Sequence, residues 1–588
     1  MMIITDADIE KVEEKLNLSF DEKRKNAIKN LETIDIVACA GSGKTTMMCS
    51  KIDILTSKQP FEGNKGIAVL SLTNVAIDQI RSRLGKNHNI FKHPNFCETI
   101  QKFVTSFVLN GWITTRYNRK VESIDNEIFI QYFKNKMDKT KIWYLERNNF
   151  SFEELYSDGE IVFYRNKRIE DIRIPKLTAD KKNEYIEAIR IIKLQLISEG
   201  IFSYRDAFEI STKYIKENNK LKKFIKNRFE ICFVDEMQDC RKWEKDFLEE
   251  CFSDVCFQKI GDPNQQIYDE TYWNPQRKIN INNSIRNSVN IVEFAKKFED
   301  MPDNMTGKTQ NNIKVKILVY NPQNILKVKS KYIEEIKKEK LEEKDGAIFK
   351  MIGKVAKKND GKIELLDYCD SISVEEFNIY DKLFLERFKQ NKNRILITLL
   401  ETMYYVYRRI DKNNYLKING KKEFKDKIKP FINNEDVFKD LKNNNSDILN
   451  FSKKITENVL TNLFTKKEYF KKMYNYILNE KTNDTTQISN YEEDGVKIET
   501  NTIAGVKGET HTATLVCETF YRNYDIEYIL DKYIKHNKKN KTVKEILHTL
   551  YVAFTRPTDM LCIAIREEVY RKYKEEIESL DAEIIFIE

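Results

Sequence analysis

The nine residues Ala38-Cys39-Ala40-Gly41-Ser42-Gly43-Lys44-Thr45-Thr46 constrain this chain more than any other stretch. They follow Ile34 to Val37, an apolar run with the length of a buried strand. The glycines flanking Ser42 let the backbone turn sharply and converge several N–H groups on one point. Lysine and a hydroxyl come next, where a helix must begin. Strand, glycine turn and helix N-terminus together make a polyphosphate cradle. The N–H groups and the positive helix end face the β- and γ-phosphates, Lys44 neutralises charge, and Thr45 holds Mg²⁺. Only 17 of the 588 residues are glycine, so this placement is not a by-product of composition.

The length is enough for about four domains of ordinary size. Charged residues are 33% and hydrophobic residues 41%, a soluble globular balance. No apolar run approaches the ~20 residues of a membrane span, and Met1 to Glu10 has three acids and no basic segment, so no secretory signal or membrane partner is expected. The ten cysteines form no Cys-x-x-Cys pair, and one lies inside the glycine loop, which points to reduced thiols in the cytoplasm. His88, His93 and Cys97 cluster loosely and read as loop residues before they read as a zinc site. The net charge of +9 favours a nucleic-acid partner only weakly.

Along the chain, Leu18 to Asn30 predicts a helix, Gly66 to Leu72 a buried strand, and Val75 to Leu84 a second helix. Residues 103–195 are aromatic, charged and helical in period, without a phosphate motif; they read as an insert. Residues 366–481 read as another. The basic run Lys535 to Lys541 reads as a solvated loop, with a DNA-backbone contact as the alternative.

The second informative stretch is Phe229-Glu230-Ile231-Cys232-Phe233-Val234 running into Asp235-Glu236-Met237-Gln238-Asp239. Apolar residues that end in paired acids put carboxylates at the carboxyl end of a buried strand, where doubly wound sheets bind ligands. Asp235 is suited to hold Mg²⁺ through water, and Glu236 to take a proton from an attacking water. Ile260-Gly261-Asp262-Pro263-Asn264-Gln265 repeats the strand-then-acid pattern and offers Gln265 to the γ-phosphate. Arg286 and Arg556, remote in sequence, are candidates to stabilise transition-state charge, an effect of about 10³–10⁵ in rate.

These segments, with Ala68 to Leu84, Ser284 to Ser288, Thr502 to His511 and Leu550 to Arg556, resemble the UvrD/Rep-like helicases of superfamily 1 in order and spacing, from about residue 18 to 565. The resemblance implies an α/β fold of two RecA-like P-loop domains with parallel sheets, each with a mainly helical insert, and ATP with Mg²⁺ in the cleft between them. The implied partition is 1–103 and 196–283 for the first core, 284–365 and 485–588 for the second, and 104–195 and 366–484 for the inserts. It implies nucleotide contacts at Arg24, Ala40, Gly41, Ser42, Gly43, Lys44, Thr45 and Thr46, ribose contact and domain coupling at Gly508 and Glu509, and catalysis by Lys44, Glu236, Gln265, Arg286 and Arg556. Thr45 and Asp235 would be the Mg²⁺ ligands. Thr73, Asn74, Thr99 and Gln101 match positions on the DNA strand, and Tyr272 or Trp273 matches the base-stacking aromatic. Movement would run 3′ to 5′ on single-stranded or partly duplex DNA.

Four positions depart from the family pattern. Arg24 replaces the glutamine that reads adenine, and Ile285 replaces the tyrosine that stacks on it. Gln101 and Ala504 replace two DNA-contacting histidines. Phosphate chemistry looks intact while adenine recognition looks weakened. The Val506 to His511 variant and the compact inserts are similar to helicases of anti-phage systems such as Gabija, which implies a separate OLD-type nuclease as partner. The competing expectations are a non-unwinding DNA- or nucleotide-sensing ATPase subunit that regulates such a nuclease, and a structural scaffold with a dead site.

Overall fold

The computed structural model describes residues 3–147, 179–267, 273–356 except 303 and 310, 362–369 and 490–588, with scattered helical positions between 402 and 474. Tyr272, residues 148–178 of the first expected insert and almost all of the second lie outside the described residues.

The first sheet contains β1 (Ile34–Ala38), β2 (Gly66–Ser71) and β3 (Phe96–Thr99). A two-residue parallel ribbon pairs β4 (Ser123–Ile124), inside the first expected insert, with β5 (Ile201–Phe202), just beyond its end. Strands β6 (Phe229–Val234), β7 (Cys256–Gly261) and β8 (Lys278–Ile281) complete the sheet in the order β3-β2-β6-β7-β1-β8, with every pair parallel. Its central strands are buried on both faces, as a parallel sheet between helices requires. The pleat sorts them by alternation. Ile34, Ile36, Ile67, Val69, Ile231 and Phe233 enter one core. Val37, Ala68, Leu70, Cys232 and Val234 enter the other. Each such large aliphatic side chain contributes about 1.5–3 kcal/mol by burial.

The segment β9 (Asn283–Ser288) pairs in parallel with β10 (Thr306–Thr309) and is separated from β8 by the single residue Asn282. The second sheet then follows: β11 (Lys316–Tyr320), β12 (Phe349–Gly353), β13 (Asn490–Glu493), β14 (Val496–Thr502), β15 (His511–Cys517), β16 (Pro557–Arg566) and β17 (Glu583–Ile587). Its order is β13-β14-β12-β15-β16-β11-β17, parallel except for the β13–β14 pair. Cys39 and Ala40 of the glycine loop share one buried cluster with Ile291, Leu550 and Phe554, so the two halves meet at the cradle.

Some local expectations are adjusted. The first predicted helix starts only at Glu22, because the Asp21 carboxylate accepts the Arg24 N–H and caps it there. Lys539 in the basic run is not purely solvated, since its Nζ donates to the Asp300 carbonyl at 2.9 Å. His88 bonds Asp53 at 2.9 Å and Cys97 is buried in β3, and the described residues contain no group of metal-ligand side chains. Among the described residues no helix is long and apolar enough to cross a membrane.

Lys51, on the helix Lys44–Ser57, is fully buried and donates to the Ala27 carbonyl at 2.9 Å and to Gln258 Oε1 at 2.8 Å. Burial pushes its ammonium down to about 7. Between that value and the ordinary lysine range the unfolded chain holds a proton that the folded one has released. Lys51 therefore makes stability rise with pH across that window. Thermal unfolding of K51M should show less of a rise between pH 7 and 9 than the parent; identical slopes would refute the assignment.

Candidate nucleotide site and nucleic-acid groove

The cradle sits at the carboxyl end of β1, between β7 and β8. Gly41 (φ +69°) and Gly43 (φ +78°) are both left-handed, a conformation other residues adopt with strain. At Gly41 space also forbids a side chain: a Cβ would lie 2.5 Å from the Arg286 Cβ and the Ser284 Oγ. The Ile285 N–H donates to the Gly41 carbonyl at 3.0 Å, so β9 is pinned over the loop. Lys44 Nζ donates to the carbonyls of Ala38 (3.1 Å) and Cys39 (3.4 Å), folded across its own loop. Thr45 is the second residue of the helix, and Thr46 accepts from Arg83 at 2.6 Å.

The carboxylates lie at the ends of β6 and β7. The Asp235 N–H continues the β2 ladder to the Leu70 carbonyl, and its Oδ1 accepts the Glu236 N–H at 3.0 Å. Glu236 has φ +53°, uncommon for a non-glycine residue and a mark of functional sites. A run of hydrogen bonds then crosses from one sheet to the other. The Gln238 amide donates to Glu236 Oε2, and its Oε1 accepts the Asp262 N–H at 3.0 Å. Asp262 Oδ2 accepts Gln265 Nε2 at 2.7 Å, and Gln265 Oε1 accepts Arg556 NH2 at 3.2 Å. Arg556 is 1% exposed and also donates to the carbonyls of Val552 and Glu509. Arg286 NH1 donates to the Thr555 carbonyl at 3.4 Å.

The electrostatics match this geometry. Burial, and then the adjacent Glu236 charge, push Asp235 up to about 7, while Lys44 opposes them. Burial also works against ionised Glu236, yet Lys44, Lys507, the Gln238 amide and Arg556 hold its carboxyl below the usual range. Burial, and then the charge of Arg286, push Arg556 down to about 9. Around Lys44 stand Asp235, Glu236 and Asp262, with Lys507, Arg286 and Arg556 as further cations on the same cluster. A carboxylate with a helix N-terminal hydroxyl is a hard-oxygen donor set that suits Mg²⁺, so Asp235 and Thr45 fit the ion.

Arg24 is buried, and all five of its N–H groups are engaged. Nε and NH2 both donate to the Ser42 carbonyl, at 3.0 and 2.7 Å. NH2 also reaches the Asn283 carbonyl at 2.7 Å, and NH1 bonds Asn283 Oδ1 and Asp21. The residue clamps the glycine loop to β9 and has no donor left for a base edge. Ile285 beside it is 49% exposed.

Between β14 and β15, Gly508 (φ +86°) faces open space. The Glu509 carboxylate is held by Lys350 at 2.6 Å and His511 at 3.3 Å; burial raises its pKa, but these partners bring it down to about 2. Lys507 was not singled out by sequence. It bridges the halves, with Nζ 2.6 Å from both Asp239 Oδ1 and the Gln265 carbonyl. Its only sequence signal is a lone lysine opposite the last acid of Asp-Glu-Met-Gln-Asp.

A cavity of about 670 Å³ opens beside this bridge, lined among others by Thr73, Gln101, Tyr204, Trp243, Ala504 and Gly508. Thr73 caps the helix Asn74–Leu84, where Asn74 is exposed. Thr99 caps the next helix, and Gln101 Nε2 donates to the Ile124 carbonyl at 3.2 Å. Trp273 corrects an expectation. It is 5% exposed, with its ring packed so close to Gly261 that a Cβ there would meet it at 2.9 Å. It cannot offer a face to a base, because burying its ring fills the core beneath the end of β7.

Residues 20–287 match the UvrD/REP helicase N-terminal domain. The chain is 23% identical over 288 residues to the "Probable DNA helicase II homolog" of Mycoplasma capricolum subsp. capricolum, covering 48% of this chain and 39% of that protein. It is 24% identical over 280 residues to the Gabija protein GajB of Bacillus cereus (strain VD045), covering 46% of this chain and 44% of that protein. The matched region thus spans less than half the length of either relative.

Proposed function

We propose, taking as premise the UvrD/REP helicase N-terminal domain matched by residues 20–287, that this chain hydrolyses ATP between its two sheets to move 3′ to 5′ along single-stranded DNA. It would act in the cytoplasm, in repair or anti-phage defence. The observation that carries the reading is the run from Glu236 through Gln238, Asp262 and Gln265 to Arg556, which joins a general base on one sheet to a cation on the other.

Each residue has a task in that reaction. The loop N–H groups and Lys44 bind the phosphates, and Lys44 exchanges its two carbonyl partners for phosphate oxygens. Thr45 and Asp235 would hold Mg²⁺, which when bound draws charge from the β- and γ-phosphates. Glu236, ionised at neutral pH, accepts the proton of the attacking water. Gln265 turns its amide to the γ-phosphate, and Arg556 and Arg286 offset the charge that develops there. Because Gln265 is also tied to Lys507, a change at the phosphate moves the contact between the halves, which line the groove together.

Hydrolysis of ATP and GTP, with and without a single-stranded oligonucleotide, tests this reading together with displacement of a strand from 3′- and 5′-tailed duplexes. The expected results are DNA-stimulated turnover, displacement from the 3′ tail, and similar rates for ATP and GTP, because Arg24 has no donor free for the base. Selective ATP turnover with micromolar KM would refute the last point. A second reading is a non-unwinding ATPase that reports DNA or nucleotide state to an OLD-type nuclease. It is favoured by Ala504, which puts a methyl group where a DNA-bonding side chain is expected, and by the likeness to GajB. Turnover without displacement, and co-purification with such a nuclease, would select it.

A further inference from the structure

Trp273 lies in the core, and among the described residues the groove has aromatic side chains of its own in its lining. We infer that Trp243, with Tyr204 beside it, is the platform on which a base of the bound strand stacks; this rests on the reading of the groove as a single-strand DNA site. Trp243 lies in the first turn of the helix Lys242–Cys251 and is partly exposed. It lines the same 670 Å³ cavity as Thr73, Gln101 and Ala504.

Its ring is held from behind. The Phe208 ring lies 4.8 Å from it at 57°, and Phe208 in turn meets Phe247 edge-on at 5.6 Å. Both phenylalanines are buried, so the indole is fixed before any ligand arrives and loses little freedom on stacking. Tyr204 is positioned by its backbone, whose N–H donates to Asn126 Oδ1 at 3.0 Å. The exposed Arg241 guanidinium rests 5.5 Å from the Trp243 centroid. When a base takes the ring, Arg241 can move to an adjacent phosphate with its charge intact.

The placement also connects binding to the nucleotide site. Trp243 is four residues after Asp239, which holds Lys507 of the second half, and Ala504, Gly505, Lys507 and Gly508 line the same cavity. A base on Trp243 therefore lies in the cavity that both halves line beside that bridge. Stacking on an aromatic tolerates any base, which suits a strand that must slide.

The test is the affinity of the full chain for fluorescent oligo-dT and for the same oligomer with abasic sites, measured by anisotropy for the parent, W243L and W243F. The expected result is dT binding about 5- to 150-fold weaker in W243L, the fold-change for loss of one stacked base. W243F should restore most of it. The parent should also prefer the intact oligomer to the abasic one more strongly than W243L does. Thermal unfolding within a few degrees of the parent confirms that W243L is folded; if W243L unfolds, W243M, which keeps more of the side-chain volume but no aromatic face, takes its place with the same expected loss of dT binding and of discrimination. Parent-like binding and discrimination by W243L would overturn the assignment of Trp243. Failure of the parent itself to bind either oligomer would instead overturn the reading of the groove.

Discussion

Glu236→Gln should cut single-turnover hydrolysis by about 10²–10⁴-fold, the usual contribution of a positioned general base, while nucleotide still binds. The substitution keeps shape, volume and the left-handed backbone at this position. It removes the only change that matters chemically, a carboxylate that Lys44, Lys507 and Arg556 keep ionised. It also removes one negative charge beside Asp235 and Asp262, so binding of an anionic nucleotide should be equal or tighter. Quench-flow hydrolysis beside equilibrium binding of a fluorescent ATP analogue reads both effects. Turnover within threefold of the parent would mean that another group takes the proton, and loss of binding would mean that Glu236 positions the loop instead.

The second large effect is expected at Arg556. Its three nitrogens serve three places at once: the Val552 carbonyl, the Glu509 carbonyl and Gln265 Oε1. Lysine keeps the charge but offers one nitrogen, without the planar fork. R556K should lower kcat by about 10³-fold or more, the range for an arginine acting on a transferred phosphoryl group, with KM changed little. R286K, whose partner is one carbonyl at 3.4 Å, should cost less. If R556K retained turnover within tenfold, the two arginines would have to exchange roles.

Much of this site is legible in the chain because its chemistry is local. A strand, two glycines and a lysine must form a cradle, and an apolar run ending in Asp235-Glu236 must put acids at a strand end. What could not be read is contact at long range. Arg24 stands out as a departure, but only the fold reveals that Ser42, Asn283 and Asp21 use all of its donors. Lys507 meets Asp239 across 268 residues of sequence, a separation no periodicity encodes. Trp273 and Trp243 look alike as letters, and only packing decides that one fills a core and the other faces a groove.

The order of strands carries a consequence for how the molecule comes into being. Every strand of the first sheet precedes residue 282, so that sheet is complete as soon as the chain through Ile281 has left the ribosome. The second sheet has no such schedule. Its β11, at Lys316–Tyr320, lies between β16 and β17, whose residues are synthesised more than two hundred positions later. Until they arrive, both edges of β11 leave their backbone N–H and C=O groups unpaired, on a strand with an apolar centre, beside an already finished neighbour. The slow, aggregation-exposed step of folding therefore belongs to the second half, and a chaperone would find its task there.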